Sequence, residues 1–430
     1  MLAQPIAELF RRALNESFVP LQWKGANITP VPKVPQPATP SDFRPISITA
    51  VLSRVFEKMM IRRFIYPALN GPGVSCDLED QFAFRPTGST TAAIISFFTK
   101  VTSMLETNQH VRVIALDFSK AFDTVRHAEL AKKLATVPLL DQVYNWIINY
   151  LGSRFHRTKI GGNLSSPAGI NASVVQGSAI GPVSYIIATR DLKPIVTGNE
   201  LMKYADDTYL LVPSSNVDTV DTELLHIEQW AEINNLKLNC SKSKEIVFLK
   251  GKASISPPPV AGMERVDSLN VLGVIIQPDL KMGKHVSNVV GKACRNMYAL
   301  KTMRSQGMES KSLSQVCRAT LISKLVYASP AWRGFCRVDE LSRLDAVERK
   351  ARRWGFCQHH NTNITRMLDQ ADAGLFQKVH LQMNHVLHPL LPPLRDTGHS
   401  LRSRGHPYVL PPKTHSTSRN FLLRMLYTTI

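Results

Sequence analysis

The sequence predicts an α+β fold: a mixed body of strands and helices followed by a basic, helical C-terminal third. Three observations lead there. Short apolar or β-branched runs, the mark of buried strands, recur between residues 111 and 280 and stop near Lys284. Helical spacing occurs on both sides of that point. The charge is also lopsided, with 28 Lys+Arg against 25 Asp+Glu over residues 1–280 and 24 against 8 over residues 281–430, within a net +19.

These numbers exclude several classes. At 430 residues the chain is long enough for about two to four domains, and 44% hydrophobic residues is ordinary for a folded protein. No apolar window approaches the ~18 residues a spanning helix needs, so no membrane partner is expected. "MLAQPIAELFRRALNE" is amphipathic and unlike a signal peptide. The 6 cysteines form no CxxC pair, which suits free thiols in a reducing compartment. Basic residues on this scale usually meet phosphate, and the asymmetry points to a polyanion handled by the C-terminal third.

Taken in order, residues 1 to about 24 read as a helix. The six prolines of Pro30–Pro45 demand a loop with short extended pieces. "VLSRVFEKMMIRRFIYPAL" has helical spacing through Val51, Leu52, Val55, Phe56, Met59 and Met60 and ends near Pro67. A second helix follows at "TAAIISFFTKVTSMLE". Val111 to Leu116 is almost continuously apolar, a strand buried on both faces, and it ends in Asp117. Helices follow at "HAELAKKLAT" and around Trp146, and then a glycine-broken hairpin at "HRTKIGGNLSSPAGINASVVQGS".

"LMKYADDTYLLV" reads as two short strands with Asp206 and Asp207 at their turn. "TELLHIEQWAEINNLKLN" returns to helical period, and "SKEIVFLKGK" and "VDSLNVLGVIIQPDL" are further strands. Beyond Lys284, "SLSQVCRATLISKLVYASPAW" and "RLDAVERKARRWG" each align one apolar face, through Leu313, Val316, Cys317, Leu321, Leu325 and Ala328 and through Leu344, Val347, Ala351 and Trp354. The tail, from about Asn361, mixes His, Pro and Arg in loops with a last apolar segment, "NFLLRMLYTTI".

The two adjacent acids need an explanation, because burying like charges side by side is costly. Two carboxylates at a tight turn and a third, Asp117, closing a neighbouring strand can hold two divalent ions, whose charge makes the cluster tolerable. A solvated turn and a helix cap are the plainer explanations of the separate pieces.

The wider set of segments resembles the reverse transcriptase domain of non-LTR (LINE-type) retrotransposons, closest to the Jockey-like group. "YADD", "LDFSKAFDTV", "VVQGSAIGP" and "FRPIS" carry the resemblance, with "PLQWKGANITPVPK", "DQFAFRPTGSTTAAI", "NNLKLNCSKSKEIVF" and "LNVLGVIIQPDL" in the family's order. It covers about residues 5–335 strongly and the tail more loosely.

The resemblance implies a right-hand polymerase, with fingers at 1–110, a palm at 111–283 interleaved with fingers elements, a helical thumb at 284–360 and a tail at 361–430. It implies RNA-templated DNA synthesis from a 3′-OH primer by two-metal nucleotidyl transfer. The ions would be Mg²⁺, with Mn²⁺ as the alternative. RNA template, DNA primer or target DNA and deoxynucleoside triphosphates would be the partners, and the oligomeric state stays open. Asp117, Asp206 and Asp207 would bind the metals, Asp206 the more direct ligand. Phe122 would be the steric gate against a ribose 2′-OH, or else a core aromatic. Gln176 and Gly177 would sit by the incoming nucleotide and the template.

Lys33 and Arg44 would contact the triphosphate. Lys242 would donate a proton to pyrophosphate, with Lys244 as the alternative. "VLGV", Val271 to Val274, would be the primer grip, and Asp123 a structural residue of its turn. Arg349, Lys350, Arg352 and Arg353, off the apolar stripe of their helix, would contact phosphates. "CQHH" raises zinc, but without a second ligand pair the reading is weak.

The sequence departs from the family at Ala83, commonly Gly, at Ser243, commonly Thr, and in the less apolar "GPVSYIIATRDL". Relatives usually carry an upstream endonuclease domain, so the chain is expected to be truncated and unable to nick its own target. The rival expectation is a catalytically silent nucleic-acid-binding remnant of a decayed or co-opted element. An RNA-dependent RNA polymerase or maturase-type relative is a second enzyme reading, against which Phe122 speaks. Function suggests the nucleus, or the cytoplasm as a ribonucleoprotein.

Overall fold

The computed structural model describes residues 2–71, 78–119, 121–251, 255–357, 363–395, 406–414 and 417–428. Among these, the strands in chain order are β1 (Gly25–Pro32), β2 (Phe43–Ile48), β3 (His110–Leu116), β4 (Arg154–Ile160), β5 (Asn163–Leu164), β6 (Ala168–Ile170), β7 (Glu200–Tyr204), β8 (Asp207–Pro213), β9 (Lys244–Leu249), β10 (Glu264–Arg265), β11 (Leu269–Val271) and β12 (Val274–Ile276). They form a sheet in the order β10-β9-β3-β8-β7, a second joining β2, β1, β4, β5 and β6, and the small hairpin β11-β12.

β3 sits at the centre of the first sheet, antiparallel to both neighbours. Its alternation explains the continuous apolar run. Val111 and Val113 face one core with Tyr209, Leu211, Ile246 and Phe248. Ile114 and Leu116 face another with Leu201, Leu210 and Val212. Each such side chain contributes about 1.5–3 kcal/mol when fully buried. The helix Thr90–Thr107 and the C-terminal helices cover the first face, and the helices Asp141–Leu151, Gly181–Ala188 and Val220–Ile233 cover the second.

Three expectations change. The N-terminal helix is Ala3–Asn15, and only Leu21–Lys24 resumes it. Ser17 turns to φ +50° and Pro20 has no amide to continue the ladder. The proline-rich segment is largely strand, β1 and β2 pairing with Pro30 opposite Pro45. Prolines fit there because β2 is an edge and β1 meets β4 only over Gly25–Ile28. The helix Val51–Met60 continues past Pro67 to Asn70 through a π-helical turn, Ile61–Ile65, that accommodates the missing donor.

That helix also buries a face the apolar spacing did not mark. Ser53 and Glu57 lie inside with Phe56 and Met60, whereas Val51, Leu52, Val55 and Met59 are exposed.

The described residues beyond 362 share the core of what precedes them. Ile364, Leu368, Val379, Phe421, Leu422 and Leu426 pack in one cluster with Leu344, Trp332 and the sheet face. Asn420 Nδ2 donates to Thr99 Oγ1 at 3.0 Å, and Arg424 and Arg333 both pair with Asp372, at 2.7 and 3.1 Å.

Candidate active site

Strand register assembles the acids. Leu116 of β3 stands opposite Thr208 of β8, so one residue further Asp117 comes level with Asp207. Tyr204 pairs with Asp207, leaving Ala205 and Asp206 as the centre of a two-residue turn. Ala205 takes φ +57°, a left-handed conformation that costs a residue with a Cβ about 1–2 kcal/mol.

An outside anchor holds the turn in that shape. Gln81 Oε1 accepts from the amides of Ala83 and Ala205, at 2.9 and 3.1 Å. The Phe82 amide donates to the Lys203 carbonyl at 2.9 Å, and the Lys203 amide to the Asp80 carbonyl at 2.7 Å. The Lys203 ammonium is itself buried, with the Thr189 and Leu192 carbonyls each at 3.0 Å and Asp80 at 3.1 Å. Across the sheet, the Asp117 amide donates to Ser243 Oγ at 3.1 Å, and its carbonyl accepts from the Asn239 amide at 2.8 Å. Serine keeps the hydroxyl that this strap uses, so the departure from Thr is harmless.

Asp206 and Asp207 reach solvent at the tip of the turn, but protein crowds them on the other sides. That burial raises the Asp206 carboxyl above the usual carboxylate range, and the Asp117 charge adds to it. Burial, then the charges of Asp206 and Asp117, pushes Asp207 up to about 6. Among the described residues, no cation offsets either group. Oxygen donors that repel one another and lack a counter-charge suit a hard divalent ion. Among the described residues, however, no three His, Cys, Asp or Glu side chains stand close enough to enclose one.

Beside Asp206 opens a pocket of about 420 Å³ lined by Lys33, Arg44, Phe122, Asp123, Gln176 and Gly177. The hairpin β1-β2 delivers Lys33 and Arg44. The Lys33 amide donates to the Asp42 carbonyl at 2.7 Å, closing the loop between the strands. Its ammonium rests on the Ser41 carbonyl at 2.9 Å. Gln176 Nε2 donates to Asp123 Oδ1 at 2.9 Å, and the Gln176 carbonyl accepts from the Ser47 amide at 2.7 Å. Gly177 takes φ +123°, and a Cβ there would collide with the Ser47 carbonyl oxygen, so only glycine fits this approach.

The remaining candidates sit apart from that pocket. Lys242 is exposed on the turn that straps Asp117, its amide 3.2 Å from Asn239 Oδ1. Lys244 lies on β9 and pairs with Glu264 at 3.2 Å. On the helix Val338–Arg353, Arg349 and Arg353 are exposed. Arg352 is held by Glu348 at 2.6 Å, and the Lys350 ammonium lies 4.7 Å from the centre of the Trp354 ring. Of "CQHH", only Cys357 falls within the described residues, and its Sγ lies 2.7 Å from that of Cys317.

Sequence reasoning missed three supports. Gln81 stands within "DQFAFRPTGSTTAAI" with nothing local to mark it as an anchor. Glu57, fully buried, accepts from Ser53 Oγ at 2.7 Å and from the Ala179 and Ile180 amides at 2.6 and 3.1 Å. A carboxylate there complements the positive N-terminal pole of the helix Gly181–Ala188 and fixes the segment after Gly177. Its signal was an acid four residues after Ser53, one turn along a helix. Tyr185 stacks on Phe122, centroids 4.2 Å apart and planes at 23°. Burial first, then Asp206 and Asp207, raises its phenol.

The model of the reverse transcriptase (RNA-dependent DNA polymerase) family matches residues 31–276. A probable RNA-directed DNA polymerase from transposon X-element of Drosophila melanogaster is 25% identical over 396 residues, 87% of this chain and 42% of that protein. The RNA-directed DNA polymerase from mobile element jockey of the same species is 26% identical over 301 residues, 66% of this chain and 32% of that protein. The chain thus spans less than half the length of the curated relatives it matches. A solved telomerase from Candida tropicalis, in complex with a fragment of telomeric RNA, aligns over 84% of this chain and 67% of that one, at TM-score 0.45 and 12% identity.

Proposed function

Because the chain belongs to the reverse transcriptase family, with its model matched over residues 31–276, we propose that it extends a DNA 3′-OH primer on an RNA template, as part of a non-LTR retrotransposon. The observation that carries this is the single pocket joining Asp206 to Lys33, Arg44, Phe122, Gln176 and Gly177. Residues from four separate segments converge there in the roles a nucleotide site needs.

Lys33 and Arg44 bind the triphosphate and draw charge from it. The Phe122 ring, backed by Tyr185, closes the pocket where a ribose 2′-OH would project and favours deoxynucleotides. Gln176, oriented by Asp123, and the close-packed backbone at Gly177 bear on the base pair. Asp117, Asp206 and Asp207 would hold divalent ions, Mg²⁺ in the first instance, which when bound would supply Lewis acidity and neutralise developing charge. Lys242 lies on the turn strapped to Asp117 and is the candidate proton donor to the leaving group. Arg349 and Arg353 contribute to holding the template–primer, and target-primed synthesis on chromosomal DNA would put the activity in the nucleus.

Purified protein with an RNA template, a DNA primer, Mg²⁺ and deoxynucleotides tests the proposal. Extension that Asp206→Asn abolishes is expected. No extension, or extension that survives the substitution unchanged, rejects it in favour of a silent nucleic-acid-binding remnant.

A further inference from the structure

The β11-β12 hairpin carries no acid or base at its tip, Leu272 and Gly273, yet the tip is fixed from two directions. Leu272 and Gly273 take φ +49° and +91°, and Asn270 Oδ1 accepts from the Gly273 amide at 3.0 Å. From the palm side, the Leu272 amide lies against the phenol of Tyr209, two residues beyond Asp207 on β8. From the helical side, the Tyr327 hydroxyl donates to the Leu272 carbonyl at 2.9 Å. The Tyr327 ring crosses so close that a Cβ on Gly273 would stand 3.3 Å from it.

The backbone around Tyr327 is committed to this placement. Its carbonyl accepts from Trp332 Nε1 at 2.9 Å. The next residue, Ala328, takes φ +50°, strain of the kind that persists only where surrounding structure demands it. Despite these ties the residue is 41% exposed. Tyr204, at the start of the acid-bearing turn, has its phenol raised by burial and then by Tyr327 and Asp207. An open aromatic ring therefore stands on the hairpin tip.

We propose that Tyr327 is a positioning residue for the primer strand. Its hydroxyl locks the hairpin tip against Tyr209, and its exposed ring receives the terminal nucleotides at the primer 3′ end. The proposal rests on the polymerase reading for its ligand, a recessed-end duplex, but its test does not need catalysis. Every base has a π-face, so stacking on an aromatic side chain requires no particular sequence.

The test is equilibrium binding of a fluorescent RNA–DNA hybrid with a recessed, dideoxy-terminated 3′ end, set against a blunt hybrid of equal length, with no nucleotide present. Tyr327→Leu should weaken recessed-end binding about tenfold while blunt-end binding stays within twofold. Tyr327→Phe, which keeps the ring and loses one hydrogen bond, should cost about threefold. In extension assays Tyr327→Leu should raise the KM for template–primer and leave the KM for deoxynucleotide unchanged. Equal loss on both hybrids, or no loss on either, overturns the proposal, and a matching melting temperature for Tyr327→Phe confirms that the fold is intact. A wild-type protein that binds recessed ends through Tyr327 but never extends them rejects the polymerase activity and leaves this inference standing.

Discussion

The strand ends at Asp117, Asp206 and Asp207 and the helix Val338–Arg353 both owe their character to charge, but they distribute it in opposite ways. At the strand ends three like charges are concentrated, crowded by protein and unmatched by any cation among the described residues, so Asp207 holds its proton up to about pH 6. On the helix Arg349 and Arg353 stand in solvent, and Arg352 is neutralised by Glu348. A concentrated cluster can govern one chemical event, because each charge changes the state of the others. A dispersed set acts on a polyanion collectively, each member worth little.

The largest effect should come from breaking the cluster. Asp206→Asn or Asp117→Asn should lower primer extension by on the order of a thousandfold without lowering the melting temperature. A fall of less than tenfold would mean the charge is not concentrated in function as it is in structure.

Next is the pocket beside it. Phe122→Ala should raise ribonucleotide incorporation relative to deoxynucleotide by roughly tenfold or more, read from competing-substrate extension, and an unchanged ratio removes Phe122 as the gate. Gln81→Ala comes third. It strands two buried amides and should cost about 1–3 kcal/mol in denaturant unfolding, with extension falling because the turn loses its anchor.

The cluster also has a pH signature. A carboxyl whose proton is held more tightly in the folded state favours folding at low pH and costs stability above its folded pKa. For Asp207 that point is about 6, against about 3.9 unfolded, so metal-free protein should melt lower as pH rises from 4 to about 6 and change little above that. Mg²⁺ should recover the difference at pH 8 and have little effect at pH 5. Asp207→Asn should flatten both trends, and trends that persist in that variant would place their origin elsewhere. The smallest effect belongs to the helix. Arg349→Ala and Arg353→Ala should each reduce the log–log salt slope of nucleic-acid binding by about 0.7–0.9 per lost phosphate contact, and Arg352→Ala by less. Equal slopes for all three would erase the distinction drawn from Glu348.

Legibility in the sequence followed the same division. Asp117, Asp206 and the hairpin between Leu201 and Val212 could be read because strand alternation and a two-residue turn are local patterns. Gly177 was legible as a motif residue, but that its Cβ would strike Ser47 was not, since the partner lies 130 residues away. Glu57 and Gln81 escaped for a related reason. Each looks like an ordinary polar residue until the amides that it satisfies are known, and those amides come from residues 179–180 and 205. Pro30 and Pro32 misled in the other direction, because edge pairing tolerates prolines that composition alone assigns to a loop.

Asn420 reaching back to Thr99, and Arg424 sharing Asp372 with Arg333, bear on how far the chain can be shortened. A boundary drawn at residue 360, beyond the basic helix Val338–Arg353, would strip Phe421, Leu422 and Leu426 from the hydrophobic cluster that also contains Val111 and Phe248. The excised unit would present that apolar wound to solvent and to its own copies. Expression pieces ending near 430 should therefore stay soluble, whereas those ending near 360 should aggregate with every motif residue still in place.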